Sequence, residues 1–365
     1  MLRHIQSQKG GIGTYTHNLL DHLLKYDKKN HYVLIYNQRL DKTVRHLSKR
    51  YPNVEEKYYH IPSAFLWDQV VVPIICKKEK IEVIFNPKLS IPFLTRAKKV
   101  FVMHGADWVV FPKNYKPLDR LYHTIFGRLY CRFADKIISV SKNASEELCK
   151  HYKLPPEKLK TIYHGVNDSF KPISNRAKLQ SIQEKYHLPE QFILFVGQIY
   201  PMKNFKGIVK AYHQIYREFP HKLVVVGKLG PNHQQDIEII HRLKMEKEIR
   251  FLGWVPDDDL PAIYSLASFL SFPSLYEGFG IPIIEAMKCG CPVLTSDIGA
   301  PAEVACDAAL LVKPKDIDAI ANGMRKLLTH DQLRAQFKEK GVFRADGFTW
   351  DNCAKEVYDV LASGL

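Results

Sequence analysis

No apolar run in this 365-residue chain approaches the roughly 18–20 residues that a bilayer-spanning helix needs. That absence excludes a helical membrane protein as far as the sequence extends. The opening segment, MLRHIQSQKGG, lacks the apolar core of a secretory signal, so a cytoplasmic protein is expected. The seven cysteines, at 76, 131, 149, 289, 291, 306 and 353, are few and show no paired metal-binding spacing. Cys289-Gly-Cys291 is too cramped to clasp zinc by itself. An odd number without a signal segment implies reduced thiols, most of them small core residues. No acidic cluster resembles a metal motif, and there is no short repeat or low-complexity tract. Helix-turn-helix, zinc-finger and stacking-sheet signatures are missing too, which argues against a nucleic-acid-binding protein.

What is present is an ordinary globular composition, 46% hydrophobic and 25% charged, in a chain long enough for two domains. The net charge of +15 is unevenly placed. Residues 1–170 carry 29 Lys+Arg against 15 Asp+Glu, whereas 171–365 carry 24 against 23. Only the first half is therefore fitted to an anionic partner, and charge alone leaves nucleic acid and a lipid surface both open.

Short apolar runs alternate with amphipathic stretches along the whole chain. Strands are expected at Tyr32–Tyr36, Val83–Phe85, Val100–Met103, Lys136–Val140, Phe192–Gly197, Leu223–Gly227, Arg250–Gly253, Phe269–Phe272, Val293–Ser296 and Leu310–Val312. Helices are expected near 14–26, 66–78, 117–133, 143–152 and 204–219, the last with Phe205, Ile208, Val209, Tyr212 and Ile215 on one face. Strands regularly separated by helices imply parallel, doubly wound α/β sheets. Asp168–Ser174, with Pro172, reads as the linker between two such domains.

Residues 271–291, SFPSLYEGFGIPIIEAMKCGC, hold two glutamates, Glu277 and Glu285, around a glycine turn. Gly278 and Gly280 supply the turn after a buried strand, and Pro282 suits the first position of a helix. A strand, a glycine turn and a helix start make an anion site, because free N–H groups and the helix dipole face the ligand. Glu285, expected in the first helical turn, would repel an anion unless it is aimed at a ribose diol. That combination implies a nucleotide-diphosphate ligand.

This segment resembles the signature of glycosyltransferase family four, retaining sugar transferases of the GT-B fold. The resemblance implies two Rossmann-like α/β domains facing one another across a cleft. These would be an acceptor-side domain at 1–170, a nucleotide-sugar domain at 171–347, and a last helix at 348–365 crossing back to the first domain. It implies that Glu285 bonds the donor ribose, that Glu277 lies beside the transferred sugar, and that backbone from Phe279 through Ile281 to Pro282 meets the diphosphate.

Other segments match the same pattern. Gly10-Gly11-Ile12-Gly13 reads as a loop before an amphipathic helix, and in similar enzymes Gly11 and Gly13 would shape the donor-phosphate side. His104 ends the strand from Val100 and would contact the sugar. Gln198 stands where the family commonly has arginine, and Lys203 where it has lysine, leaving one point charge instead of a guanidinium fork plus an ammonium. Trp254 and Val255 match the segment whose backbone meets the base. Thr349 or Asp351 could cap the last helix. In one respect the chain departs from the family: the glycine loop follows only nine residues, and Leu2-Arg3-His4-Ile5-Gln6 makes a poor buried strand. The expectation is a chain lacking its native beginning.

The implied reaction is transfer of a sugar from a UDP- or GDP-linked donor to an acceptor hydroxyl with retention of configuration, without a metal or other cofactor. The acceptor would be a saccharide or a lipid-linked molecule, in polysaccharide or glycolipid assembly, and a mannosyl donor is the family-level expectation. Lys203 and helix-terminal amides would stabilise charge developing on the diphosphate. Glu277 and His104 would position the sugar. A hydrolase needs both carboxylates flanking one bond, which Glu285 does not suit. Tyr115–Phe133 carries Leu118, Tyr122, Ile125, Leu129 and Phe133 with Lys116, Arg120, Arg128 and Arg132. It reads as a solvated surface helix or as a basic face for peripheral contact with an anionic inner membrane surface. The alternatives are a sugar-nucleotide binder without turnover, suggested by Gln198, and a basic nucleic-acid-binding protein.

Overall fold

A computed structural model of the chain describes residues 1–2, 10–37, 47–230 and 233–363. The described residues divide into two compact units, Met1–Gly165 with Thr349–Leu365, and Val166–Phe348. The chain thus passes from the first to the second at Gly165–Val166 and returns at Phe348–Thr349.

The first unit contains β1 (Tyr32–Tyr36), β2 (Val54–Tyr58), β3 (Val83–Asn86), β4 (Lys98–Met103), β5 (Lys136–Ser139) and β6 (Leu159–Thr161). β1 pairs with β2, and β3, β4, β5 and β6 form a second sheet in that order, every pairing parallel. Between β1 and β3 lie Met1 and Leu2, both buried. The Met1 amino group donates to the Phe85 carbonyl at 2.7 Å, and the Leu2 amide donates to the Ile35 carbonyl at 2.8 Å. Leu2 is thus buried and bonded, whereas Arg3–Gln6, the rest of the segment expected to make a poor strand, lie outside the described residues. β2 and β6 were not anticipated. β2 reads VEEKY, and its charges defeat the alternation rule because they pair locally, Lys57 with Glu55 at 2.9 Å and Glu79 at 2.7 Å. β6 is only three residues long, at a sheet edge.

The last helix, Trp350–Ala362, belongs to this unit and packs along the Gly11–Tyr26 helix. Thr349 is its cap, accepting from the Asn352 amide at 3.1 Å. Asp351 instead meets His22 at 2.7 Å.

The second unit is one six-stranded parallel sheet of β7 (Phe192–Val196), β8 (Lys222–Val226), β9 (Ile249–Gly253), β10 (Phe269–Phe272), β11 (Val293–Ser296) and β12 (Leu310–Val312). Their spatial order is β12-β11-β10-β7-β8-β9. β7, β10 and β11 are buried at every position, as strands covered by helices on both faces must be. The Phe205–Ile215 helix buries Phe205, Ile208, Val209, Tyr212 and Ile215 against this sheet. The strand order reverses between β7 and β10, so the loops leaving their carboxyl ends diverge there and open a crevice suited to ligands.

Candidate active site

Those two central loops carry most of the candidate residues of the second unit. After β7, Gly197 takes φ +150° and its amide donates to the Val226 carbonyl at 2.9 Å. Gly227, φ +136°, lies so close that a Cβ there would overlap the Gly197 carbonyl oxygen. Only glycine at 227 lets these strand ends approach. Gln198 is exposed, and the chain then makes a short turn over Pro201–Lys203. Asn204, at φ +57°, anchors this turn by donating to the carbonyls of Pro273 at 2.9 Å and Pro314 at 2.6 Å. The Leu275 amide donates to Met202 O at 2.8 Å, tying the loop after β10 to the same turn.

The tie brings Lys203 and Glu277 together. Lys203 Nζ donates to both carboxylate oxygens of Glu277, at 2.6 and 2.8 Å. Both side chains are largely shielded, 13% and 10% exposed, and Lys203 lies 5.0 Å from the Phe272 ring centre. Direct pairing of these two was not read from the sequence, since 74 residues separate them.

Gly278 follows Glu277, and Phe279 is buried with its ring edge-on to Phe348 at 5.7 Å. Gly280 caps the Ile281–Lys288 helix with φ +103°, a left-handed value that favours glycine. Ile281 is the first helical residue and Pro282 the second, one place later than expected, because the glycine cap extends to 280. Glu285 is accordingly in the second turn and not the first. It is half-buried, and desolvation raises its carboxyl to about 7, with Asp257 adding to the rise. The Tyr264 hydroxyl opposes the shift by donating to Glu285 Oε2 at 3.0 Å. Trp254 and Val255 leave the end of β9, the indole half exposed and the valine buried.

In the first unit, β4 ends at Met103, and His104 and then Gly105, at φ +144°, follow it. His104 Nε2 lies 2.8 Å from the Pro87 carbonyl. A carbonyl only accepts, so Nε2 carries the proton and Nδ1 of the neutral ring is an acceptor. Desolvation lowers the imidazole to about 4, so it stays neutral near pH 7. Tyr15 and His164, neither singled out from sequence, lie against it with ring centres 4.9 and 5.7 Å away. The Tyr15 hydroxyl is buried with no hydrogen-bond partner among the described residues. Gly11 and Gly13 are not in a loop: the Gly11–Tyr26 helix begins at Gly11 behind an uncapped Gly10. Apolar Tyr15, Leu19, Leu20, Leu23 and Leu24 anchor that helix, and their burial extends it back through the glycines. A Cβ at Gly11 would meet nothing within 4 Å.

All seven cysteines are free, five of them buried. Among the described residues no three His, Cys, Asp or Glu side chains converge as a metal site would require.

Residues 178–342 match the family model of glycosyl transferases group 1, and residues 9–170 that of glycosyltransferase family 4. The chain is 34% identical over 226 residues to O-antigen chain mannosyltransferase B of Escherichia coli, covering 61% of this chain and 59% of that protein. It is 32% identical over 234 residues to the serotype-specific mannosyltransferase WbdA of Escherichia coli, covering 62% of this chain and 28% of that one. These matches thus span less than two thirds of either relative. Anabaena Alr3699/HepE, solved in complex with UDP and glucose, shares the fold with a TM-score of 0.76 at 20% identity over 98% of both chains. The chain belongs to glycosyltransferase family 4, the glycosyl transferases group 1, and has the GT-B fold of two parallel α/β units.

Proposed function

We propose that the chain transfers a sugar from a nucleotide-diphosphate donor to an acceptor hydroxyl with retention of configuration. The observation that carries this reading is the Lys203–Glu277 pair, set at the strand-order reversal immediately before the Ile281–Lys288 helix. A diphosphate seated against the amides of 278–282 would draw Lys203 toward its leaving oxygens. Fixed dipoles and one ammonium act best on charge that grows during bond breaking, because they need no reorganisation. Glu277 then keeps Lys203 oriented and faces the sugar hydroxyls. In the first unit, neutral His104 presents Nδ1 as an acceptor for a sugar hydroxyl. Glu285 takes the ribose, and neutralisation of the diphosphate falls to these groups with no resident metal.

The finer reading is mannosyl transfer in polysaccharide assembly, supported by the mannosyltransferases among the relatives. We also propose peripheral contact with an anionic membrane face through the Pro117–Phe133 helix. That helix buries Gly127, Tyr130 and Cys131 and leaves Leu118, Leu121, Ile125 and Phe133 exposed beside Lys116, Arg120, Arg128 and Arg132. Among the described residues no helix is long and apolar enough to cross a membrane.

The test is a thermal-shift screen of UDP- and GDP-sugars followed by turnover assays. A ligand at 100 times its Kd adds about 2.7 kcal/mol of stability, so the donor stands out. Turnover that disappears in Glu277→Ala supports the reading, and unchanged turnover overturns it. Binding without turnover in the wild type would instead favour the non-catalytic binder that uncharged Gln198 suggests.

A further inference from the structure

Tyr264 is wholly buried on the Leu260–Leu266 helix, which packs against the Ile281–Lys288 helix. Its hydroxyl lies 3.0 Å from Glu285 Oε2. A phenol is a donor to a carboxylate, so the bond fixes one oxygen of Glu285 and leaves the other for a ligand. We propose that Tyr264 is a positioning residue of the nucleotide site, its buried hydroxyl aiming the Glu285 carboxylate at the ribose diol of a bound nucleoside diphosphate. The inference rests on the reading of Glu285 as the ribose acceptor given above.

Geometry limits the alternatives. Tyr264 has no exposed surface and no route to substrate, so it acts only through Glu285. Truncating it would leave the carboxylate in surroundings that disfavour its charge. What disfavours it is burial away from water and Asp257, both of which raise the Glu285 carboxyl. Tyr264 is the one group opposing the rise among those identified around Glu285. A ribose diol donates two hydrogen bonds, and an ionised acceptor makes them stronger than a neutral one. Nucleotide affinity therefore depends on keeping Glu285 ionised, and Tyr264 contributes to that directly.

The experiment is equilibrium binding of UDP and GDP between pH 5.5 and 9, each against its 2′,3′-dideoxy analogue. The proteins are the wild type, Tyr264→Phe, Glu285→Gln and the double variant, with thermal melts to verify folding. The wild type should favour the ribonucleotide over the dideoxy form about tenfold, losing that preference as pH falls through about 7. In Tyr264→Phe the midpoint should move to higher pH, with affinity restored at pH 9. On the Glu285→Gln background the Tyr264→Phe change should have no further effect, because the two act as one unit. A wild type that discriminates while Tyr264→Phe keeps its midpoint and affinity removes the Tyr264 assignment alone. A wild type that binds neither nucleotide, or binds both forms equally, removes the ribose reading with it. Should Tyr264→Phe melt early, Glu285→Gln against the double variant still decides whether Tyr264 acts independently of that carboxylate, and independence overturns the proposal.

Discussion

Lys203 Nζ donates to both carboxylate oxygens of Glu277, at 2.6 and 2.8 Å, across the loops that leave β7 and β10. Two opposite charges so shielded from water are each the other's compensation. Removing one strands its partner, which typically costs 3–5 kcal/mol for a buried pair. Lys203→Ala should therefore lower stability by about 3 kcal/mol, read by denaturant unfolding, and lower turnover about 100- to 1,000-fold. The Lys203→Ala/Glu277→Ala double variant should regain most of the stability and none of the activity. Stability without activity in the double variant would separate the structural part of the pair from its catalytic part.

Glu285 ties stability to pH in the opposite sense to most carboxylates. Its folded value, raised to about 7, lies above the ordinary 4.5, so the folded chain binds the proton more tightly than the unfolded chain. The resulting stability is fully present below about 4.5 and is lost as pH rises through about 7. Glu285→Gln, which carries no charge to desolvate, should be more stable than the wild type at pH 8 by up to about 3 kcal/mol and nearly equal at pH 4.5. Melting curves of ligand-free protein at both pH values check this. The stabilised variant should bind nucleotide less well, as expected where function keeps a strained group.

Gly227→Ala should disrupt the crevice without touching a proposed ligand contact. The added methyl would meet the Gly197 carbonyl at a φ of +136°, pushing apart the ends of β7 and β8 and carrying Gln198 and Lys203 with them. The expected result is a loss of at least about 2 kcal/mol in stability and of nucleotide binding in calorimetry.

Binding of the chain to vesicles containing anionic lipid should be salt-sensitive and should weaken on replacing Arg120, Arg128 and Arg132 with glutamine. Each basic residue near such a surface contributes about 1 kcal/mol, so the triple change should cut sedimentation with vesicles roughly a hundredfold. Nucleotide binding should be unaffected.

The sheet of the second unit was legible because β7 is an uninterrupted apolar run ending before Gly197, β10 is apolar but for Ser271 and ends before Pro273, and β11 opens on Val293 and Leu294 after Pro292. β2 was not, because Glu55, Glu56 and Lys57 look like a solvated loop until Glu79 supplies a partner for Lys57. The same division holds at the site. Glu277, Gly280 and Glu285 lie within one segment, and their spacing alone suggests a turn entering a helix. Tyr264 and Asn204 act on residues or loops far along the chain, so their parts exist only in the folded chain. Gly10–Gly13 illustrates the limit of residue preference. Glycine favours a loop, yet burial of Tyr15, Leu19 and Leu23 on the following face draws the helix back to Gly11.

The most direct test of the account is a crystal structure of the chain with GDP or UDP bound. The β-phosphate should lie within hydrogen-bonding reach of Lys203 Nζ and of amides between Gly278 and Pro282, with the ribose hydroxyls on Glu285. A diphosphate bound away from Lys203 and that helix start would contradict it.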